Sequence, residues 1–473
     1  MPKRRKKTLN FHKYLGIILA IITTIALSLI YFIDILPQNY FIILCIVLII
    51  ITLILIRLLK DQNPFLRALS CLISILYIIV LSLGITYELN TLDFFKQFGF
   101  NQYKTENYEV IVLSNSLYQD LSDLQEKRIG YLENQREGLS QAIQKLTKEI
   151  KYQEQKKENI ESLLQELKKQ KIDAIFLEEN ELQIFLEENE LERENIRTIY
   201  TIEIEIENKK TSKEVDITKT PFTIYLSGMD TYGKITKVSR SDVNMLITIN
   251  PLTNQILLTN IPRDYYVNLA DINEFDKLTH AGIYGITSSV KTIEQLLDIS
   301  INYYVKVNFT SLIDIVDEIG GIEVDSPYEF TTIDNIKFAK GKNKLDGQKA
   351  LSFSRERKAF LEGDRIRGEN QQRVLTAIIN KLLTPTIIMN YNDLLTSIKD
   401  DFITDLDDKQ IRNFIKEELK SPQKWQIKSA SLNGTNEYQY TYSYKKNKLY
   451  VMKPSEESIK NAQENIKTVL SIN

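Results

Sequence analysis

The stretch RSDVNMLITINPLTNQILLTNIPRD, residues 240–264, contains two apolar segments joined by a proline turn. Residues 245–249 and 256–260 are rich in β-branched and aliphatic side chains, which is typical of strands. Two such strands around a short turn form an antiparallel hairpin. The pairing around this turn places Asp242, just before the first strand, opposite Arg263, just after the second. The sequence therefore predicts an acid and an arginine side by side at the open end of a hairpin.

Strand and helix patterns continue to alternate on both sides of this hairpin. Strands are predicted at 222–226, 303–308 and 322–324, and helices at 288–297, 311–319, 346–353 and 367–383. Gly320-Gly321 ends one of these helices. The pattern predicts a mixed α/β domain at residues 221–473, with a central sheet covered by helices.

The N-terminal fifth of the chain is far more apolar than the rest. Runs at 14–33, 40–59 and 68–87 are each long enough to cross a bilayer as a helix. A cleaved signal peptide is the alternative for the first run, because residues 1–13 are a basic tail. That run is longer than the apolar part of a usual signal peptide and no small-residue cleavage motif follows it. Three transmembrane helices are therefore the favoured interpretation.

The positive charges of the connecting loops predict the orientation of these helices. Arg57, Lys60 and Arg67 belong to the second loop, whereas residues 34–39 of the first loop contain no lysine or arginine. By the positive-inside rule, the N-terminal tail is cytoplasmic and everything after residue 87 is extracytoplasmic.

Residues 107–200 differ in composition from the segments around them. Strands are predicted at 108–113, 171–177 and 198–207, with a long charged segment after the first. A heptad grid from 139 to 167 is apolar except at Gln153 and Lys157, so a coiled-coil arm competes with helices packed on a small α/β sheet. We favour the sheet because the heptads are interrupted. This gives an extracytoplasmic accessory domain, followed by a polar linker at 208–219.

A repeat within this region allows two further interpretations. The sequence FLEENEL occurs at 176–182 and again at 185–191. Its acidic residues suggest calcium, but the spacing and glycine of an EF-hand loop are absent. A solvated helix face after local duplication is the favoured interpretation.

The composition excludes several classes of function. Lys+Arg 60 against Asp+Glu 62 leaves a net charge of -2, which disfavours nucleic acid as a partner. Two histidines and two cysteines are too few for a zinc cage or a disulfide scaffold. Cys45 and Cys71 both fall in predicted spans, where a small apolar role is expected. The cytoplasmic part contains no helix-turn-helix, so a transcriptional regulator is disfavoured.

Arginines are concentrated in one segment of the second domain. Residues 355–373 contain five arginines in 19 residues. If Asp364 caps the last predicted helix, then Arg367 and Gln371 follow on one face, near the positive end of the helix dipole. Guanidinium groups and helix amides together suit a multiply charged phosphate.

Simpler interpretations exist for each of these features. Asp242 and Arg263 can form a cross-strand salt bridge, which for an exposed pair contributes at most about 1 kcal/mol. The arginine-rich segment can be a solvated loop. His280 is interpreted as a structural histidine in preference to a proton carrier.

With these motifs in order, the sequence resembles the LytR-CpsA-Psr family of extracytoplasmic phosphotransferases from Gram-positive bacteria. The resemblance runs from about residue 222 to the C-terminus, and three spans followed by an accessory domain resemble its streptococcal capsule-type branch. The matching motifs are Ser227-Gly-Met-Asp230, Arg240-Ser-Asp242, Ile261-Pro-Arg-Asp264, residues 277–285, Ala350-Leu-Ser-Phe-Ser-Arg-Glu-Arg357, Gly363-Asp364, Arg367 and Gln371.

The resemblance implies a role for each matching residue. Asp230 and Asp242 correspond to the acids that hold Mg²⁺ (or Mn²⁺). The arginines around the pyrophosphate correspond to Arg240, Arg263, Arg355, Arg357 and Arg367, and of these Arg263, Arg357 and Arg367 are expected, with Asp242, to be catalytic. Gln371 corresponds to a polar residue of the pocket, and Asp364 to the acid that positions the loop.

The implied reaction moves a phosphoglycosyl polymer, capsular or teichoic-acid-like, from polyprenyl (undecaprenyl) pyrophosphate to a hydroxyl of peptidoglycan. The expected partners are this lipid-linked donor, the peptidoglycan acceptor, the cell membrane and, through the accessory domain, capsule assembly proteins. Two alternatives are a polyprenyl pyrophosphate hydrolase and a non-catalytic, membrane-anchored lipid sensor. The resemblance also implies a prenyl groove, whose wall the sequence does not identify.

Overall fold

The computed structural model of this 473-residue chain describes residues 11–97, 103–133, 137–187, 189–207, 211–232, 235–384 and 402–471. It begins with three apolar helices, α1 (Phe11–Ile33), α2 (Gln38–Leu58) and α3 (Pro64–Gln97). All three are long and apolar enough to cross a membrane, which confirms that prediction. The Thr23 and Thr52 hydroxyls lie 2.9 Å apart and link α1 to α2. Helix α3 continues beyond the predicted end of its apolar run.

A five-stranded sheet follows, which we call the accessory domain. Its strands are β1 (Tyr103–Leu113), β2 (Arg128–Leu132), β3 (Gln153–Lys157), β4 (Ala174–Glu178) and β5 (Ile196–Glu207). Its helices are α4 (Glu137–Glu149), α5 (Ile160–Lys168), α6 (Glu179–Glu187) and α7 (Glu190–Arg193), with a 3₁₀ turn at Leu121–Leu124. The strand order is β3-β2-β4-β1-β5. Apolar side chains of α4 cover one face of the sheet, and those of α5 and α6 cover the other.

The interrupted heptads have a direct structural cause. Gln153 and Lys157, the two polar positions on the grid, are the first and last residues of β3, which separates α4 from α5. The region therefore forms helices packed on a sheet, as predicted, and the coiled-coil alternative is wrong.

The two copies of FLEENEL differ in structure, and the solvated helix face expected from the repeat is wrong for residues 176–178, which end strand β4. Phe176 of the first copy is buried in strand β4, whereas Phe185 of the second is buried on helix α6. Packing against opposite faces of the sheet outweighs the identical local sequence.

A second domain is built on a six-stranded sheet. Its strands, together with four small two-stranded sheets, are β6 (Phe222–Gly228), β7 (Val243–Asn250), β8 (Gln255–Ile261), β9 (Tyr266–Leu269), β10 (Glu274–Lys277), β11 (Tyr303–Val307), β12 (Ile322–Ser326), β13 (Phe330–Thr331), β14 (Lys337–Phe338), β15 (Gly341–Leu345), β16 (Phe402–Thr404), β17 (Gln426–Ser431), β18 (Gly434–Gln439) and β19 (Leu449–Pro454). Its helices are α8 (Leu278–Ala281), α9 (Ile286–Leu297), α10 (Phe309–Glu318), α11 (Gly347–Arg355), α12 (Gly363–Leu382), α13 (Asp408–Lys420) and α14 (Glu456–Leu470), with a 3₁₀ turn at Gly282–Tyr284.

The order of the main sheet is β16-β11-β6-β7-β8-β17, with β6 and β7 at its centre. Strands β7 and β8 form the predicted hairpin, in which Asn244 pairs with Ile261 and Met245 with Asn260. This register, which continues to Asn250 opposite Gln255 without a bulge, confirms the pairing expected from the sequence. The observed architecture is mixed α/β, as predicted.

Successive residues of the central strands face opposite layers of helices. Tyr225 and Leu246 pack with α9 and α14 in the larger core. Their neighbours Leu226 and Met245 point to the other face, which α12 covers. This second face also borders a cavity, described below, so the alternation of the strands separates a filled core from a binding surface.

The accessory domain contacts the segment between β6 and β7. The amide of Thr105 in β1 donates to the carbonyl of Thr236 (3.1 Å), and the amide of Val238 donates back to the carbonyl of Thr105 (2.9 Å). Lys237 forms an ion pair with Glu179 at 2.5 Å. This contact fixes residues 235–242, which lead directly into β7.

The second domain also contacts the end of the first membrane helix. Arg412 of α13 donates to the carbonyl of Ile33 (3.1 Å), and Lys416 forms an ion pair with Asp34 (2.6 Å). The C-terminal end of α1 and the second domain are therefore on the same side of the helical bundle.

Candidate active site

The open end of the β7–β8 hairpin brings Asp242 and Arg263 together. Arg263 Nη1 donates to Asp242 Oδ1 at 3.1 Å, and the Thr279 hydroxyl donates to the same oxygen at 3.0 Å. The two charged side chains are only 8% and 19% exposed, so this is not the solvated surface pair considered above. Removal of either partner of a buried ion pair leaves an uncompensated charge and is strongly destabilising.

Neighbouring arginines keep Asp242 ionised despite its burial. Burial alone would raise the pKa of Asp242, but Arg263, Arg240 and Arg367 outweigh that effect and hold the pKa below its ordinary value. Burial would conversely lower the pKa of Arg263, yet the nearby carboxylates raise it. Both groups are therefore charged at neutral pH.

Asp364 lies among three arginines at the start of α12. Its carboxylate is 3.5 Å from Arg263, 3.8 Å from Arg357 and 3.5 Å from Arg367. The prediction that Asp364 caps this helix is wrong: the helix begins at Gly363, after Glu362. Because Asp364 sits inside the first turn, its side chain reaches the arginines instead of the helix amides.

These ion pairs leave hydrogen-bonding capacity unused. Arg263 Nε is buried and has no hydrogen-bond partner among the described residues, and the same holds for Asp364 Oδ1. Burial, and then repulsion by Arg263, lower the pKa of Arg367, in spite of the nearby Asp364 and Asp242. The cluster thus has one buried donor without a hydrogen bond and like-charge repulsion between arginines, both of which an anionic ligand would relieve.

Asp230, Arg355 and Arg240 complete the set of predicted charged residues. Arg355 lies 3.4 Å from Asp230, and its guanidinium stacks 4.2 Å from the centre of the Phe309 ring. Arg240, at the end of the segment that the accessory domain contacts, lines a cavity with Asp230. Arg365, by contrast, forms ion pairs with Glu362 and Glu369 and does not line this cavity.

An apolar cavity of about 380 Å³ runs between the sheet and helices α10 to α12. Its mouth carries charge, because Asp230, Asp242, Arg263, Arg355, Arg357 and Arg367 all line it, together with Gln371. Most of its remaining lining is apolar and includes Leu226, Met245, Ile247, Val305, Leu312, Ile315, Leu351, Val374, Leu375 and Ile378. The pattern of α12 explains this arrangement, since Arg367, Gln371, Val374 and Ile378 share one helix face as predicted.

A second, polar cavity of about 250 Å³ is lined by several of the same charged residues. It shares Asp230, Asp242, Arg263 and Arg357 with the apolar cavity. Its remaining lining consists of Arg240, Asp264, Lys277, Thr279, His280, Leu449 and Ile184. The charged cluster therefore borders both an apolar cavity and a polar one.

Several residues of the polar cavity were not assigned a role from the sequence. Asp264 and Lys277 pair at 3.3 Å, and both lie in motifs that had been singled out, so a signal for them existed. Ile184 belongs to α6 of the accessory domain, and nothing in its local sequence points to the cavity.

The carboxylates of Asp230 and Asp242 are the candidate ligands for a metal ion at this site. No group of three or more metal-ligating side chains occurs in the part of the chain that the structure describes. Asp230 and Asp242 nevertheless line both cavities beside the unused arginine donor. Mg²⁺ commonly takes only one or two protein carboxylates and completes its shell with phosphate oxygens and water, so this pair fits that cation.

The LytR_cpsA_psr family model matches residues 194–467, more than half of the chain. The chain belongs to the LytR_cpsA_psr family. Among curated members, the polyisoprenyl-teichoic acid--peptidoglycan teichoic acid transferase TagU of Enterococcus faecalis is 35% identical over 244 residues, which cover 51% of this chain and 79% of that protein. TagU of Bacillus subtilis is 34% identical over 241 residues, covering 50% and 77%.

Solved structures also align with part of the chain. Bacillus subtilis TagV has a TM-score of 0.46 and 26% identity, covering 54% of this chain and 99% of TagV. The structure of TagT bound to LI-WTA has a TM-score of 0.43 and 29% identity, covering 56% and 96%.

Proposed function

We propose that this protein transfers a phosphate-linked glycopolymer from polyprenyl diphosphate to a hydroxyl of peptidoglycan. The names of its curated relatives support the reaction class, since they are polyisoprenyl-teichoic acid to peptidoglycan transferases. The observation that carries the proposal is the charged cluster at the junction of an apolar and a polar cavity. A lipid-linked glycopolymer donor has three matching parts, namely an apolar chain, two phosphates and a polar glycan.

The arginines supply binding and charge stabilisation in this reaction. The buried Nε of Arg263 makes no hydrogen bond to the described residues, so it can donate to a phosphate oxygen. Arg367 and Arg357 border the same mouth and can share the charge that moves onto the leaving lipid phosphate. Phosphoryl transfer depends mainly on such positioning and electrostatic stabilisation, so a covalent enzyme intermediate is not required.

A divalent cation is part of the proposal. Asp230 and Asp242 would hold Mg²⁺ (or Mn²⁺), which would neutralise charge on the phosphate oxygens. Burial, and then the nearby Asp242, raise the pKa of Asp230 even though Arg355 lies close to it. Two adjacent carboxylates with this mutual repulsion favour a cation between them.

We also propose that the N-terminal tail is cytoplasmic and that the accessory and second domains are extracytoplasmic. The distribution of lysine and arginine between the two loops supports this orientation. The Lys416–Asp34 ion pair holds the second domain against the end of α1 that this orientation places outside. Tethering beside the outer leaflet raises the effective concentration of a lipid donor.

The test uses the full chain in membranes, with a lipid-linked glycopolymer donor and with or without peptidoglycan. Arg263→Ala and Asp242→Ala are each expected to abolish attachment, whereas Arg365→Ala, the matched control outside the cluster, keeps it. Release of free phospho-glycan at the same rate without peptidoglycan would instead identify a hydrolase. Full attachment in both Arg263→Ala and Asp242→Ala would favour the lipid-sensor alternative.

A further inference from the structure

His280 borders the polar cavity and is held by a buried carboxylate. Its Nδ1 lies 2.7 Å from Asp276 Oδ1 and 2.9 Å from the Ser443 hydroxyl. Ser443 in turn donates its amide to Asp276 Oδ2 at 2.8 Å. The imidazole is thus fixed at one nitrogen by two elements, the β10–α8 junction and the loop between β18 and β19.

The state of Asp276 determines which ring nitrogen carries the proton. Asp276 is fully buried, and burial alone would raise its pKa, but His280 and the hydrogen bonds of Lys277 and Ser443 lower it. An ionised carboxylate only accepts hydrogen bonds, so Nδ1 is the donor of the pair. In the neutral imidazole, Nε2 then carries a lone pair.

No hydrogen bond of the ring among the described residues involves Nε2; both pass through Nδ1. Nε2 is also absent from the fully buried polar atoms that lack a hydrogen bond, so this nitrogen keeps some exposure. Since His280 contributes to the wall of the polar cavity, its ring borders the space that a ligand there would occupy.

The other candidate bases of the cavity are already engaged. Asp242 accepts from Arg263 and Thr279, and Asp230 lies 3.4 Å from Arg355. Asp264 is paired with Lys277 at 3.3 Å. A general base should have a proton affinity matched to neutral pH, which imidazole has and a paired carboxylate lacks.

We propose that His280 is the general base that activates the acceptor hydroxyl, with Asp276 as its positioning residue. This inference rests on the proposed function and departs from the structural role that the sequence suggested for this histidine. Nε2 takes the hydroxyl proton while the hydroxyl oxygen bonds to the phosphorus next to the glycan. The bridging P–O bond breaks with its electron pair, polyprenyl phosphate leaves, and the imidazolium proton passes to solvent.

The pH dependence of the reaction reflects every charged group around this ring. Besides Asp276, the groups that line the same cavity are Asp230, Arg240, Asp242, Arg263, Asp264, Lys277 and Arg357. Because several groups titrate in one site, the shape of a single pH profile does not identify the base. A comparison of variants at this one position does.

His280→Asn is the decisive variant, because the Asn amide can still donate to Asp276 from the position of Nδ1 but offers no base at Nε2. Its transfer rate is expected to fall roughly 100-fold or more, with the affinity for the lipid-linked donor unchanged within twofold. Wild-type transfer is expected to slow on acidification as the base becomes protonated, and His280→Asn should lack that dependence. Exogenous imidazole should partly restore His280→Ala. Arg365→Ala, the control outside the charged cluster, should transfer at the wild-type rate.

Transfer by His280→Asn within threefold of wild type, or an unchanged acidic limb, would overturn this role. An equal loss of donor affinity and rate would show that the histidine is structural, which also overturns it. Arg263→Ala distinguishes this failure from a failure of the proposed function: if Arg263→Ala is inactive and His280→Asn is active, only the assignment of the base is wrong.

Discussion

Arg367 is a charged residue whose environment disfavours its charge in the absence of a ligand. Its side chain is 12% exposed, and burial together with repulsion by Arg263 lowers its pKa below the ordinary value. Replacement by methionine keeps an unbranched side chain of similar length. We therefore expect Arg367→Met to leave the ligand-free protein at least as stable as wild type while weakening the binding of diphosphate.

The expected size follows from the two interactions that change. Replacing a buried charged group by a hydrophobic one of similar volume is commonly neutral or stabilising by about 1–4 kcal/mol. Here the lower end applies, because Asp364 loses one of three arginine neighbours and keeps two. A charge-assisted hydrogen bond to a phosphate oxygen contributes about 1.5–3 kcal/mol, so affinity should fall roughly ten- to hundredfold.

Thermal unfolding of the full chain in detergent, at increasing concentrations of a polyprenyl diphosphate, measures both quantities. Arg365→Met is the matched control, since Arg365 pairs with Glu362 and Glu369 and lies outside the cluster. The control should bind as wild type does. A marked loss of stability in Arg367→Met with unchanged affinity would show that Arg367 holds the fold together and does not serve the ligand.

Three other predictions test separate parts of the molecule. Leu375→Trp narrows the apolar cavity and should reduce transfer from a long polyprenyl donor at least tenfold, while a short-chain donor is used nearly normally. Equal losses of transfer rate for both donors would contradict a prenyl site in this cavity. Burial, and then Lys104, lower the pKa of Lys306 to about 7, so above that pH the unfolded chain retains a proton that the folded chain releases. The free energy of unfolding of wild type should therefore rise between pH 7 and pH 9, and Lys306→Met should flatten that rise. An identical slope in both proteins would refute the assignment. Asn180 donates to the carbonyl of Val238 (3.1 Å). Asn180→Ala should slow transfer several-fold and lower the free energy of unfolding by about 1 kcal/mol, as measured by parallel rate and denaturation experiments. An unchanged rate would show that the accessory domain does not position this segment.

The parts of the fold that local patterns dictate could be read from the sequence. The turn of the hairpin sets its register, and the register alone brings Asp242 to Arg263, 21 residues along the chain. The face that joins Arg367 to Gln371 and Val374 follows from the helical period, although the position of the helix start does not.

Features that depend on packing between distant segments could not be read in this way. The wall of the apolar cavity combines strands and helices whose aliphatic residues are indistinguishable from core residues by sequence. The same limit applies to Ile184, whose place in the polar cavity depends on how the accessory domain docks. The residues Phe-Leu-Glu end a strand in the first copy of FLEENEL and lie in a helix in the second, because tertiary burial outweighs local preference.

The most direct test of the account is an experimental structure of the full chain with a polyprenyl diphosphate bound. The account predicts that the diphosphate contacts Arg263 and Arg367, with its first isoprene units inside the apolar cavity beside Val374 and its other end toward the polar cavity. A lipid bound with its phosphates away from these arginines, or with its chain outside the space between the sheet and α12, would contradict the central claim.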